Sequence, residues 1–209
     1  MKKYALLFGL VIAVSTLLTP ERQTHAEITG SLHDFSGETW SSSQICLPCH
    51  TPHGADTTVP DAPLWNHTVS TANYTLYSSP TLNATLSQPT GHSKLCLSCH
   101  DGTIAIDSFG GNNGSRFLSQ GNFGHIGTDL SDDHPVSFTF NSALANADGG
   151  LHDPQTRTTG LGGTIDEDLL INGRLECSSC HDVHNAQNNL GMLWIDNTSS
   201  ALCLTCHDK

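Results

Sequence analysis

The longest run of apolar positions lies at the start of the chain. Residues 5–18 form a mainly apolar run of 14 residues that follows Lys2 and Lys3, and Ala26 offers a small residue at which cleavage can occur. This pattern is typical of a secretory signal peptide, and the run is shorter than the roughly 20 residues that a membrane-spanning helix requires. We therefore predict that residues 1–26 are removed on export and that the protein has no stable membrane insertion. The alternative is an uncleaved anchor.

The rest of the sequence shows no sustained apolar period that would predict a long helix or strand. A short strand is predicted near 136–140, and helical pieces are predicted near 165–172 and 199–207. Glycine-rich turns at 110–114 and 160–163 interrupt the pattern. The predicted fold class is mostly irregular, with a few short α-helices and minimal β-structure.

Composition adds a second constraint on the fold. Only 36% of the 209 residues are apolar and 6% are aromatic, while 19 are glycine. Such a chain buries little apolar surface to offset its conformational entropy, so we expect a bound group to supply much of the core. Beyond residue 26 there are five basic and 19 acidic residues, a formal charge of −14, and this charge disfavours nucleic acid and anionic lipid as partners.

All eight cysteines belong to one motif, C-x-x-C-H, which occurs four times. The motif is typical of covalent haem attachment, because two thiols three positions apart reach the two vinyl groups of one porphyrin and the next histidine reaches the iron. We therefore predict four c-type haems, each with a short helical turn for its motif. The attachment cysteines are Cys46, Cys49, Cys96, Cys99, Cys177, Cys180, Cys203 and Cys206, and the proximal ligands are His50, His100, His181 and His207.

Three other uses of paired cysteines fit the sequence less well. Disulfides are common in exported proteins, but they do not require a histidine after every second cysteine. Zinc ribbons use paired C-x-x-C units without that histidine, and a redox C-x-x-C normally occurs once.

The chain has 13 histidines, enough to give each iron a second, distal imidazole. His53 and His184 each lie three residues after a proximal histidine, which is too close to reach the same iron, so each is predicted to bind a different haem. The distal candidates are His33, His53, His134 and His184, with His92 and His67 in reserve.

Bis-histidine ligation is the simplest arrangement, since Met192 is the only methionine beyond the predicted signal. Such haems lack the higher potential that methionine ligation brings, and they have no open position for a substrate. This argues for electron transfer and against catalysis, so we predict no catalytic residue. The predicted cytochrome domain, 27–209, contains two dihaem units, about 27–100 and 177–209, joined by the Gly-, Asn- and Asp-rich segment 101–176.

Four segments, 46–53, 96–103, 132–138 and 177–184, resemble the doubled-CXXCH multihaem cytochromes. Within that family, the size, the four motifs and the segment 201–209 are similar to the tetrahaem cytochromes that form extracellular nanowires in metal-reducing bacteria. The resemblance implies an extracellular, head-to-tail filament of identical subunits that conducts electrons to other cytochromes or to metal oxides.

The resemblance also implies a ligand scheme. His53 would bind the third haem of the adjacent subunit, and His184 would serve the last haem. His33 and His134 would serve the first two. Three other functions remain open: a monomeric periplasmic shuttle, a multihaem reductase with one open iron, and a membrane-anchored quinol oxidase subunit.

Overall fold

The computed structural model describes residues 28–209, so the predicted signal, 1–26, lies outside the described residues. Irregular backbone dominates this part of the chain, and the regular elements are short. The helices are α1 (Gly91–His100), α2 (Ser142–Asp148), α3 (Ile165–Asp168), α4 (Cys177–Cys180) and α5 (Ala201–Cys206), with single 3-10 turns at Thr39–Ser41, Leu190–Met192 and Thr198–Ser200. The strands are β1 (Phe138–Thr139) and β2 (Arg174–Leu175).

The two strands form one antiparallel pair, in which Phe138 faces Leu175. The fold class predicted from the sequence is therefore confirmed: mostly irregular, with short helices and minimal β-structure. The strand lies inside the predicted segment 136–140, but the helix predicted over 165–172 ends at Asp168. No helix among residues 28–209 is long and apolar enough to cross a membrane.

Side chains supply more of the core than the composition suggested. The largest buried apolar cluster is Phe138, Phe140, Ala145, Ile165, Leu170 and Leu175. These residues come from the segment 101–176, which the sequence predicted to be a joining segment. Asn141 caps α2 by accepting from Leu144 N, and Thr164 and Glu167 form a capping box on α3, so local capping stabilises helices that are too short to form alone.

The helices that carry the second and third C-x-x-C-H motifs pack against each other. The main-chain N–H of Cys177, at the start of α4, donates to Ser93 Oγ of α1 over 3.0 Å. His92 of α1 also contacts Ser178 Oγ of α4, at 2.9 Å. This contact brings together motifs that lie 81 residues apart in the sequence.

Candidate haem-attachment sites

Each C-x-x-C-H motif lies on a helical turn that ends at its histidine. The second motif forms the end of the ten-residue helix α1, a longer helix than the single turn predicted. The first motif forms a turn without a regular helix, closed by a hydrogen bond of 2.8 Å from His50 N to Cys46 O. A helical turn sets the two thiols on one side of the backbone, as attachment to one porphyrin edge requires. No disulfide joins any of the eight cysteines, all of which lie within residues 28–209.

Three of the four predicted proximal histidines have the same hydrogen bond on their ring. The Nδ1 atom contacts a main-chain carbonyl: Pro63 O at 2.6 Å for His50, Gly124 O at 2.6 Å for His100, and Gly191 O at 2.9 Å for His181. An N–H at Nδ1 that donates to a carbonyl leaves the lone pair on Nε2 and fixes the ring orientation, as in metal-ligating histidines. These rings therefore fit an iron ligand that binds through Nε2.

The loops after the first and third motifs repeat one backbone design. Thr51 N donates to Leu64 O at 2.9 Å, and Asn66 N donates to Cys49 O at 2.9 Å. Asp182 N donates to Met192 O at 2.6 Å, and Trp194 N donates to Cys180 O at 3.0 Å. In each loop the chain returns beside the histidine and presents a carbonyl to its Nδ1 atom.

A second imidazole faces three of the predicted proximal histidines. The ring centroids are 6.1 Å apart for His50 and His184, 5.9 Å for His100 and His33, and 6.3 Å for His207 and His134. Metal–nitrogen bonds of about 2.0 Å place two imidazoles on opposite sides of one ion with centroids about 6 Å apart. The three separations therefore fit bis-histidine ligation.

The three facing histidines also have a neighbour at Nδ1. His33 Nδ1 is 3.2 Å from Met192 Sδ, His134 Nδ1 is 2.9 Å from Pro135 O, and His184 Nδ1 is 3.8 Å from Asp182 Oδ1. Burial lowers the pKa of His33 to about 4, with smaller contributions from His100 and His181. His33 is thus neutral near pH 7, in the form that binds a metal.

This pairing differs in two places from the scheme that the resemblance implied. His184 lies opposite His50, of the first motif, with 13° between the ring planes, although it was assigned to the last haem. His134 faces His207, of the last motif, although it was assigned to one of the first two haems. Both differences arise because distant segments fold onto the motifs, which spacing along the chain does not reveal.

Among the four proximal and the four primary distal histidines, His181 and His53 are the two that face no imidazole in the described residues. Within residues 28–209, no second ring stacks on or faces His181, and the side chain of His53 makes no hydrogen bond or ring contact. His53 is exposed and borders an open cleft of ≈ 720 Å³, which Lys94 also lines.

The reserve candidates have both ring nitrogens occupied. His67 is 3% exposed, and its ring nitrogens contact Thr68 O at 2.8 Å and Ala105 O at 3.0 Å. His92 contacts Ser178 Oγ at 2.9 Å and Asp61 O at 3.1 Å. Neither ring can bind iron without losing a hydrogen bond.

The four attachment motifs lie beside one another in the order in which they occur along the chain. Burial raises the pKa of Cys99 to about 12, and the nearby Cys49 thiol of the first motif raises it further. The thiols of Cys96 and Cys177 are hydrogen-bonded, which lowers the pKa of Cys177. Burial raises the pKa of Cys206 to about 12, with a contribution from Cys180. The first motif thus lies beside the second, the second beside the third, and the third beside the fourth.

A zinc site would need at least three donors around one point. The described part of the chain, which holds all eight cysteines, has no group of three or more His, Cys, Asp or Glu side chains that could hold a metal ion. The residues present instead fit haem: paired thiols on a turn, with an imidazole whose Nε2 is available. The sequence did not predict the carbonyl acceptors Pro63, Gly124 and Gly191. Each is a glycine or proline 10 to 24 residues after the histidine of its motif, and this pattern is too common to identify an acceptor.

Comparison with known proteins supports this class. Residues 171–209, which contain the third and fourth motifs, match the family described as "Doubled CXXCH motif". The match supports the assignment of the chain to the multihaem c-type cytochromes, and the C-x-x-C-H motifs imply covalently bound haem c. The comparison with curated proteins gave no match.

Proposed function

We propose that the protein is an exported electron-transfer cytochrome with four bis-histidine haems, and that its copies join into an extracellular conductive filament. The observation that carries this proposal is that a second imidazole lies opposite three of the four predicted proximal histidines, with ring centroids 5.9–6.3 Å apart. Two protein ligands on an iron leave no position for a substrate, which favours electron transfer over catalysis. Bound haem supplies one-electron redox chemistry.

The chain's own residues would hold and orient the cofactors. The eight cysteines would fix each porphyrin to its turn, and the proximal and distal histidines would bind from opposite faces. The carbonyls of Pro63, Gly124 and Gly191 would fix the tautomer of three proximal rings. Because the motifs adjoin in chain order, the four haems would form one continuous series, across which electrons move without proton transfer.

The surroundings of His181, the proximal histidine of the third motif, support the filament part of the proposal. His181 lacks a facing imidazole within the described residues, whereas His53 is exposed and its ring has no partner. A His53 ring from the adjacent subunit would complete the third haem, and a contact between different surfaces of identical subunits produces an open filament when it does not close.

The cleft beside His53 supports the same contact. Its volume of ≈ 720 Å³ lies within the range of about 300–1,000 Å³ that is usual for small-molecule and cofactor sites. Lys94 lines it and would favour a carboxylate such as a haem propionate. The cleft would therefore receive the exposed edge of the neighbour's third haem, and the partners at the filament ends would be other cytochromes or metal oxides.

A two-part experiment tests the proposal. First, mass spectrometry and pyridine haemochrome spectra of the exported protein should give four haems per chain. Second, His53→Ala should abolish filaments in electron micrographs, while the matched variant His125→Ala should assemble normally. A chain with fewer than four haems contradicts the tetrahaem assignment. Filaments of His53→Ala that keep every haem low-spin contradict the inter-subunit ligation.

A further inference from the structure

The side chain of Glu176 is buried at the contact between the second and third attachment helices. The residue is 1% exposed and directly precedes Cys177, the first residue of α4. A buried carboxylate requires partners, because transfer of a charge out of water is costly unless hydrogen bonds and an opposite charge compensate it.

Glu176 has such partners on both sides of the contact. Its Oε2 atom accepts hydrogen bonds from Ser93 Oγ at 2.5 Å, Ser93 N at 3.3 Å and Ser137 Oγ at 2.8 Å. Its Oε1 atom accepts from Arg174 Nε at 3.1 Å. The Arg174 side chain is 32% exposed, so water screens this cation while the carboxylate stays buried. The carboxylate therefore lies where solvent screens its field only weakly.

The backbone of α1 makes room for this carboxylate. Gly91, the first residue of α1, has a φ of +51°, and a Cβ atom there would lie 3.3 Å from Glu176 Oε1. Ser93, two residues further on, donates through both its main-chain N–H and its hydroxyl. The N-terminal end of a helix favours a nearby negative charge, and the Glu176 carboxylate lies beside this end of α1.

The charge lies where two attachment sites meet. Ser93 Oγ, which donates to Glu176, also accepts from Cys177 N at 3.0 Å. The Cys96 and Cys177 thiols lie beside each other at the contact of α1 with α4, so haems attached to the second and third motifs would both lie near this carboxylate. A negative charge near a haem stabilises the ferric form, which carries one more positive charge than the ferrous form.

We propose that Glu176 sets the reduction potential of the second and third haems, and that its buried carboxylate holds both potentials below those of an otherwise identical neutral site. The inference rests on the proposed function, since it requires haems on these two motifs. Glu176 is a positioning residue here and does not touch iron. Its effect would fall least on the first and fourth haems, whose motifs lie outside this contact.

The test is a spectroelectrochemical titration of the holoprotein with three variants. Glu176→Gln keeps the shape but removes the charge, and should favour reduction of two haems by on the order of tenfold, which is about 59 mV for one electron. Glu176→Asp keeps the charge and should leave the potentials closer to those of the wild type. Glu167→Gln removes an exposed carboxylate from α3, preserves its capping box, and should change nothing.

Three results would overturn the inference: no shift in Glu176→Gln, an equal shift in Glu176→Asp, or an equal shift in Glu167→Gln. An equal shift in Glu176→Asp would assign the effect to packing, because the charge is retained. Haem content and spin state, measured on the same samples, separate this inference from the proposed function. A wild-type chain without haem on the second and third motifs defeats the proposed function, whereas fully loaded variants with unchanged potentials defeat only the role of Glu176.

Discussion

The loops after the first and third attachment motifs share a backbone design but differ in what lies opposite the histidine. In both loops the chain returns to give a carbonyl to the histidine Nδ1, from Pro63 in the first and from Gly191 in the third. His50 then faces His184, whereas His181 faces no imidazole among residues 28–209. The same fold element thus leaves one histidine opposite a second imidazole and one without it, and the proposed filament assigns the missing ligand to a neighbouring subunit.

The histidines three residues after the first and third motifs also differ, but here the one that follows the third motif has a facing ring and the one that follows the first motif has none. The ring of His184 lies opposite that of His50, while His53 is exposed and its ring makes no contact within the described residues. Two motifs with the spacing C-x-x-C-H-x-x-H therefore place their last histidine in different environments. Local sequence sets the loop, and the rest of the molecule decides whether the histidine has a target.

The largest expected effect follows from removing the histidine that completes the first site. His184→Ala should convert one haem of the four from low-spin to high-spin, because His50 loses the imidazole that faces it. The change should appear in isolated subunits and in filaments alike, since both rings belong to one chain. Electron paramagnetic resonance measures the high-spin signal.

His125→Ala is the matched control for this substitution, because the ring of His125 faces none of the four predicted proximal histidines in the part of the chain that the structure describes. If His184→Ala leaves all haems low-spin, the pairing of His50 with His184 is incorrect.

A smaller effect is expected at the carbonyl that orients His181. Gly191 has a φ of +74°, and an L-residue in this region costs roughly 1–2 kcal/mol. Gly191→Ala should therefore lower the free energy of unfolding by about 1 kcal/mol, as measured by urea denaturation of the holoprotein. Pro63→Ala is the comparison in the first loop. It keeps the carbonyl that accepts from His50. If Pro63→Ala lowered the free energy of unfolding as much as Gly191→Ala, the positive φ of Gly191 would not be the cause of the destabilisation.

The smallest effect concerns a strained residue that both loops contain. Leu64 has a φ of +54° and Met192 a φ of +56°, in matching positions of the two loops. Leu64→Gly should raise the free energy of unfolding by up to about 1 kcal/mol, because glycine adopts this conformation without a steric cost. Met192→Gly should gain less, since it also loses the contact of Met192 Sδ with His33 at 3.2 Å. Equal gains in thermal denaturation would contradict this difference between the loops.

The sequence predicts the chemistry of the sites better than their arrangement. The C-x-x-C-H motifs identify the thiols and the proximal histidines, because porphyrin attachment imposes a fixed local spacing. The absence of a long apolar period likewise predicts a mostly irregular fold. Both features are local, so each is visible in a short window of residues.

The arrangement depends on contacts between distant residues. His184 lies 134 positions from His50, and His134 lies 73 positions from His207, so no spacing rule identifies these pairs. The buried cluster around Phe138 and Ile165 was also missed, because its apolar residues are scattered in a segment rich in glycine and polar residues. Glu176 gave no signal either, since one glutamate before a cysteine is ordinary until α1 and α4 pack together.

The spin state of dissociated subunits tests most directly whether a neighbouring chain completes the third haem. Low-temperature electron paramagnetic resonance would be recorded on intact filaments and on subunits separated without denaturation. We expect only low-spin haem in filaments and one high-spin haem per dissociated subunit, because His181 loses the His53 ring of its neighbour. Dissociated subunits with every haem low-spin would contradict the account, since the chain would then supply both ligands to each iron.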